Sequence, residues 1–122
     1  METSFDFDEK LGTCIVHFSA NMCQEESNAL LNDLKKNVKV QGYSKFIVVI
    51  PESFTACEDF RIQIHRYIVT MRKKNPKFRI AIVTTLLRVI GYEQFAKTVI
   101  QMVDKEQIFD TMDKAIAWLK KQ

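Results

Sequence analysis

The sequence predicts a single α/β domain, residues 1–122, built on a mixed and mostly parallel sheet, and three features lead there. Two apolar runs of strand length, residues 46–50 and 78–84, are rich in Val and Ile and too short to be helices. Longer stretches between and after them carry apolar residues at helical spacing. Near the start, Phe5 and Phe7 alternate with Asp6 and Asp8, the period of a strand with one face inward. Strands that alternate with helices argue for parallel pairing, with an opening hairpin adding one antiparallel strand. The expected order is β-β-α-β-α-β-α-β-α.

Taken along the chain, the hairpin turns at Glu9-Lys10-Leu11-Gly12 and continues over 13–19, with Cys14, Val16 and Phe18 on one face. The first helix is expected to start at Asn21, an N-cap residue with Gln24 three positions on. Glu25 and Glu26 in its first turn and Lys35 and Lys36 in its last suit the helix dipole. Leu30, Leu31, Leu34 and Val38 form its apolar stripe. The run 46–50 stops at Pro51 and is apolar on both faces, which places it centrally in the sheet. The second helix is expected to open at Thr55, whose spacing to Glu58 is that of a capping box. Phe60, Ile64, Tyr67, Ile68 and Met71 give it a core face, and Lys73-Lys74-Asn75-Pro76 closes it. After the strand 78–84 a third helix begins near Arg88, with the stripe Tyr92, Phe95, Ala96, Val99 and Met102 or Val103. Gly91 weakens its first turns by up to ~1 kcal/mol relative to Ala. A short strand around Ile108 follows, and Asp110 is expected to cap a last helix whose inner face is Met112, Ala115, Ile116 and Leu119, with Trp118 beside it.

Composition narrows the class of function. A net charge of +3 and a pI near 8.8 are mildly basic, and the cations do not gather among aromatics as a nucleic-acid interface would require. Nucleic acid is therefore not expected as the partner. No apolar run reaches the ~18 residues that span a bilayer, and the opening Met-Glu-Thr-Ser-Phe-Asp is acidic where a signal peptide is basic. Cys14, Cys23 and Cys57 lack metal-ribbon spacing and are odd in number. They read as three reduced, mostly buried thiols of a cytoplasmic protein. His17 and His65 lie far apart, with no Cys or carboxylate at ligand spacing. Phosphate loops, dinucleotide fingerprints, nucleophile elbows and zinc-protease motifs do not occur. The expectation is a protein with no metal, no cofactor and no catalytic site, not an enzyme.

The strand Arg79-Ile80-Ala81-Ile82-Val83-Thr84 and the ending Ile108-Phe109-Asp110, then Ala115-Ile116-Ala117-Trp118-Leu119, resemble the STAS-like superfamily, in particular its SpoIIAA-like branch of small stand-alone proteins. The resemblance covers nearly the whole chain as an order of elements and the final third as recognisable residues. It implies a sheet of four or five strands with helices packed mainly on one face. It also implies a regulatory or interaction module that binds a protein partner. In the anti-sigma-factor antagonists of that superfamily, a kinase phosphorylates a serine in an Asp-Ser-Ser-Gly-like run at the start of the second helix. By element order that run falls at Glu52-Ser53-Phe54-Thr55-Ala56, which lacks both the Asp and the Gly. Ser53 and Thr55 are thus phospho-acceptor candidates by position alone.

The residues chosen as a partner or ligand surface are Ser53, Phe54, Thr55, Thr84, Thr85, Leu86, Leu87 and Arg88. Both groups follow the C-terminal ends of strands, where crevices form in α/β sheets. Thr55 has a plainer role as helix cap, and a phosphate there would meet free backbone N–H groups. The run Leu86-Leu87-Arg88-Val89-Ile90 reads either as the start of a buried helix or as an exposed patch that closes a homodimer or holds a partner. Arg61, His65, Arg66, Arg72, Lys73 and Lys74 read as a solvated helix face. Cys57, at a helix start, has a mechanism for thiol reactivity, set against burial as a structural residue. A second functional class stays open: a carrier of a small apolar ligand such as a fatty acyl chain or lipid, for which the nine Phe residues could line a pocket.

Overall fold

A computed structural model of the chain describes residues 3–23, 25–99 and 107–122. The strands are β1 (Ser4–Asp8), β2 (Thr13–His17), β3 (Asn21–Met22), β4 (Lys45–Val49), β5 (Thr55–Ala56), β6 (Arg79–Val83) and β7 (Ile108–Phe109). The helices are α1 (Glu25–Lys36), α2 (Val38–Gln41), α3 (Glu58–Lys74), α4 (Leu86–Thr98) and α5 (Met112–Lys120). Five strands form one sheet in the order β1-β2-β4-β6-β7, and β3 pairs with β5 in a separate two-stranded ribbon. The molecule is mixed α/β, as expected.

The hairpin β1–β2 is antiparallel with Phe5 opposite Val16, and its turn is set by Gly12 at φ 65. Asp8 Oδ1 accepts the Leu11 N–H at 3.0 Å within that turn. From β2 onward every pairing in the large sheet is parallel: Val16 lies opposite Val48, Val48 opposite Ile82, and Ile82 opposite Ile108. Each strand adds beside its predecessor, so crossovers of the usual right hand put all connecting helices on one face. Leu30, Leu31 and Leu34 of α1, Phe60, Ile64 and Ile68 of α3, and Phe95 of α4 share one buried cluster with Cys14, Val16, Phe46, Val48, Ile80 and Ile82. The alternate strand residues Ile47, Ala81 and Val83 point to the opposite face, where Ala115 and Leu119 of α5 complete a smaller buried cluster with Ile15, Phe109, Ile116 and Trp118 packed against it. The helix α5 does not join two of these sheet strands, so the crossover rule does not bind it to the first face.

Several expected boundaries are corrected. Asn21 and Thr55 do not cap helices; both lie in the ribbon, where they are directly paired. The helix α3 starts at Glu58 with Cys57 at its N-cap and no side-chain cap bond. The proposed capping partner Gln24 lies outside the described residues. Val38 does not belong to the stripe of α1: the chain breaks at Asn37, whose side chain accepts the Lys39 and Val40 N–H groups, and Val38 is 84% exposed. Gly91, at φ 77 and ψ 169, interrupts α4 outright instead of merely weakening it. Thr111, not Asp110, caps α5 by accepting the Lys114 N–H. Met102 and Val103 lie outside the described residues.

The cysteine reading is also corrected. Cys23 and Cys57 form a disulfide across 34 residues of sequence, immediately after the paired strands β3 and β5. Cys14 is the free and buried thiol. Two thiols that looked unrelated in sequence are brought together because the two ribbon strands run side by side in the same direction.

Candidate functional site

The C-terminal edge of the parallel sheet is built by strands that end in register. The Phe18 N–H donates to the Val49 carbonyl, Ile50 to Val83, and Thr84 to Phe109, each at 2.9 Å. The segments that leave this edge are 50–57 and 84–88, so the sequence-selected residues do gather on one rim. They are not equally available there. Ser53 and Thr55 are exposed, and the Thr55 N–H donates to the Ala20 carbonyl at 2.8 Å. The Thr55 hydroxyl points to the same carbonyl at 3.4 Å, a bond that ties the ribbon and replaces the expected helix cap. Phe54 is half-buried, with its ring 6.0 Å from that of Phe18.

On the second segment Thr84 is buried at 2% exposure and its Oγ1 accepts the Leu86 N–H at 3.1 Å, so it shapes the turn from beneath. Thr85 is exposed at the N-cap of α4 and makes no side-chain cap bond. Leu86, Leu87 and Ile90 are half-buried against the main core, which is the packing reading of this run. Val89 is 66% exposed and follows the patch reading instead. Arg88 is exposed and its Nε donates to Asp110 Oδ2 at 3.0 Å, while Lys114 Nζ donates to Oδ1 of the same carboxylate at 2.9 Å. The paired cations hold the Asp110 carboxyl down at about 2, chiefly through these two hydrogen bonds. This three-residue charge cluster, with Arg88 on α4, Lys114 on α5 and Asp110 in the turn before α5, was not singled out from the sequence; its local signal was the four-residue spacing of Asp110 and Lys114.

The remaining candidates resolve one by one. Cys57 is bridged, which removes it as a nucleophile. Cys14 is pushed up to about 11, first by burial and then by the Asp6 charge, so its thiol stays protonated. His17 Nε2 sits 3.0 Å from Asp6 Oδ2 across the hairpin. Among the basic residues of α3, an Arg61 guanidinium nitrogen reaches the Lys97 carbonyl and one of Arg72 reaches Gln107 Oε1, so both tie α3 to neighbouring segments. Among the described residues no group of three or more His, Cys, Asp or Glu side chains gathers as metal ligands do.

A second surface feature was not anticipated. A groove of about 720 Å³ runs between α3 on one side and α1 and α2 on the other. Its floor includes Leu34, Val40, Tyr43, Phe46, Tyr67 and Met71. Lys35, Arg66 and Lys74 stand exposed on its walls. Behind that floor, among Val16, Phe18, Val48, Ile64, Ile68 and Ile82, lies a small apolar cavity of about 20 Å³. Burial pushes the Tyr67 phenol up to about 12, with the Cys14 thiol adding to the shift, so it remains a neutral hydrogen-bonding group. Compared with protein-family models, curated proteins and solved structures, the chain matches none.

Proposed function

We propose that this chain is a non-enzymatic, STAS-like interaction module of the SpoIIAA-like kind that binds a protein partner through the C-terminal rim of its sheet. The observation that carries the reading is the meeting of two loops on one rim. They present half-buried Phe54, Leu86 and Leu87 beside exposed Ser53, Thr85 and Arg88. Apolar residues ringed by polar ones are the anatomy of a protein interface. The order of the sheet strands and longer helices supports the family resemblance, and the rim is where its regulatory serine falls by element order. Ser53 is the better-placed phospho-acceptor, because the Thr55 hydroxyl is engaged with Ala20. A homodimer formed through the same rim belongs to this reading. A cytoplasmic setting agrees with the Cys23–Cys57 bridge only where that bridge is transient, because stable disulfides belong to oxidising compartments.

The test is a comparison of partners recovered by the native chain, by Phe54→Asp and by Leu87→Asp, each variant first checked for folding by circular dichroism. A specific partner held by the native chain is expected to be lost by both folded variants. If every partner stays bound to both, the rim reading fails. The second reading, a carrier of a small apolar ligand, is favoured by one observation: the groove between α1–α2 and α3 lies within the ~300–1,000 Å³ range of ligand clefts.

A further inference from the structure

The groove is lined unequally by the helices that flank it. The helix α1 spans 12 residues and contributes Leu34 and Lys35 from its C-terminal part, whereas the 17-residue α3 lines the groove from Asp59 to Lys74. The chain breaks at Asn37, and the short α2 turns aside instead of extending α1. Along α3 the lining residues are Asp59, Gln63, Arg66, Tyr67, Thr70, Met71 and Lys74, which recur at three- and four-residue steps and so form one continuous face. At 1.5 Å per residue that face is roughly 22 Å long.

The chemistry of the lining is divided by depth. Leu34, Val40 and Phe46 are fully buried at the bottom, with Tyr43, Tyr67 and Met71 half-exposed above them. Lys35, Arg66 and Lys74 stand above those, and none of the three forms an ion pair among the described residues. The carboxylate in the lining, Asp59, lies toward the start of α3 and accepts from Gln63 Nε2 at 2.6 Å. Lys35 and Lys74 are in the last turns of α1 and α3. Both helices return against parallel strands, so these two turns fall at the same end of the sheet. An apolar trough with unpaired Lys35 and Lys74 over one end, and Arg66 midway along α3, is complementary to a molecule with an apolar body and a single anionic head.

We infer that the groove between α1–α2 and α3 binds a free anionic amphiphile, an acyl chain with a carboxylate or phosphate head. The chain lies on Tyr43, Tyr67 and Met71, above the buried Phe46, and the head lies among Lys35, Arg66 and Lys74. The inference rests on the carrier reading and supplies its site and its ligand charge; the rim reading does not depend on it. The free molecule is the occupant because the apolar floor is sunk between helices, whereas a bilayer would need apolar groups that project. The nearly closed core behind the floor keeps the ligand in the groove and out of the domain interior.

Isothermal calorimetry with dodecanoate, below its micelle concentration, tests this. The native chain is expected to take up one molecule with a Kd on the order of 10 μM, weakening as salt is raised. Lys35→Glu/Lys74→Glu changes only exposed side chains and keeps the fold; it is expected to weaken binding roughly tenfold while leaving dodecanol uptake unchanged. Met71→Trp, which fills the trough, is expected to abolish uptake of both. Saturable binding that both variants retain would overturn the groove as the site and leave the carrier reading standing. No saturable binding to the native chain would overturn both.

Discussion

Asp110 shows how a single side chain can join two elements that sequence reading had treated separately. It was expected to cap α5, a role that Thr111 takes, and it instead bridges Arg88 of α4 and Lys114 of α5. Its carboxyl titrates at about 2, below the usual value of 3.8, because both cations favour the charged form. A depressed carboxylate contributes stability that is fully present above the unfolded value and is lost as pH falls through the folded one. Asp110→Asn should therefore melt below the native chain at pH 6, and the two melting temperatures should converge as pH falls from about 4 to 2. A constant gap across that range would show that the ion pairs are not its source. Cys14 gives the opposite limb. Its thiol is raised from 9.0 to about 11, so the folded state resists ionisation and stability should decline as pH rises from about 9 to 11. Cys14→Ala should flatten that alkaline decline, as read from melting temperature against pH. Iodoacetamide at pH 8 should leave Cys14 unlabelled until the chain is unfolded.

The ribbon β3–β5 decides more of the local structure than its two pairs of residues suggest. By taking Asn21 and Thr55 into backbone pairing it delays the start of both following helices, which is why two sound capping patterns failed. It also aligns Cys23 with Cys57, a bridge that spans 34 residues of sequence. Closing a loop of that length in the unfolded chain stabilises the fold by roughly 3–4 kcal/mol in the chain-entropy account. Reduction, or Cys23→Ser/Cys57→Ser, should lower the melting temperature by on the order of 10 °C. Loosening the ribbon should also speed hydrogen exchange at Thr55 and Cys57, whose N–H groups bond to Ala20 and Met22. An unchanged melting temperature under reductant would mean that the bridge does not form in solution. Two-residue strands have no periodicity to detect, so neither the ribbon nor the cysteine pairing was legible in the sequence. The long elements were: β4 and β6 stood out as Val- and Ile-rich runs, and α3 as Phe60, Ile64 and Ile68. Gly91 was noticed but misjudged, because a helical pattern continues across it. Its φ of 77 and ψ of 169 fall where essentially only glycine sits comfortably, and a Cβ there would meet nothing within 4 Å. Gly91→Ala should thus cost about 1–3 kcal/mol in urea melts from backbone strain alone, and Asn should rescue little, since ψ is far from the left-handed helical value.

At the scale of the whole molecule, the sheet is a wall shared by two unequal cores. Helices α1 to α4 pack on the first face, while α5 packs on the second, over Ile47, Ala81 and Val83. The alternation of Phe46, Val48 and Ile50 against Ile47 and Val49 made a two-sided sheet legible. The inner stripe of α5 was legible too, but the face it would cover was not, since periodicity carries no information about which side a terminal helix takes. The groove was hidden for a related reason: its lining comes from α1, α2, α3 and the start of β4, and only the α3 face has a readable spacing. Sharing one sheet has a thermodynamic consequence. Every residue of β4 and β6 that supports α5 is flanked in the chain by one that supports α1 or α3, so neither face can lose its packing while the other keeps its own. Leu119→Ala removes a fully buried side chain from the smaller core and should destabilise the chain by about 2–5 kcal/mol. The loss should appear in one transition. Trp118, the single tryptophan, lies on α5 with its ring 6.0 Å from that of Phe109, so its fluorescence reports the second face while far-ultraviolet circular dichroism reports the whole. In both the native chain and Leu119→Ala the two signals should trace the same urea midpoint. A fluorescence transition that precedes the dichroism change in the variant would instead make α5 a detachable layer, able to leave the sheet while the first core stays folded.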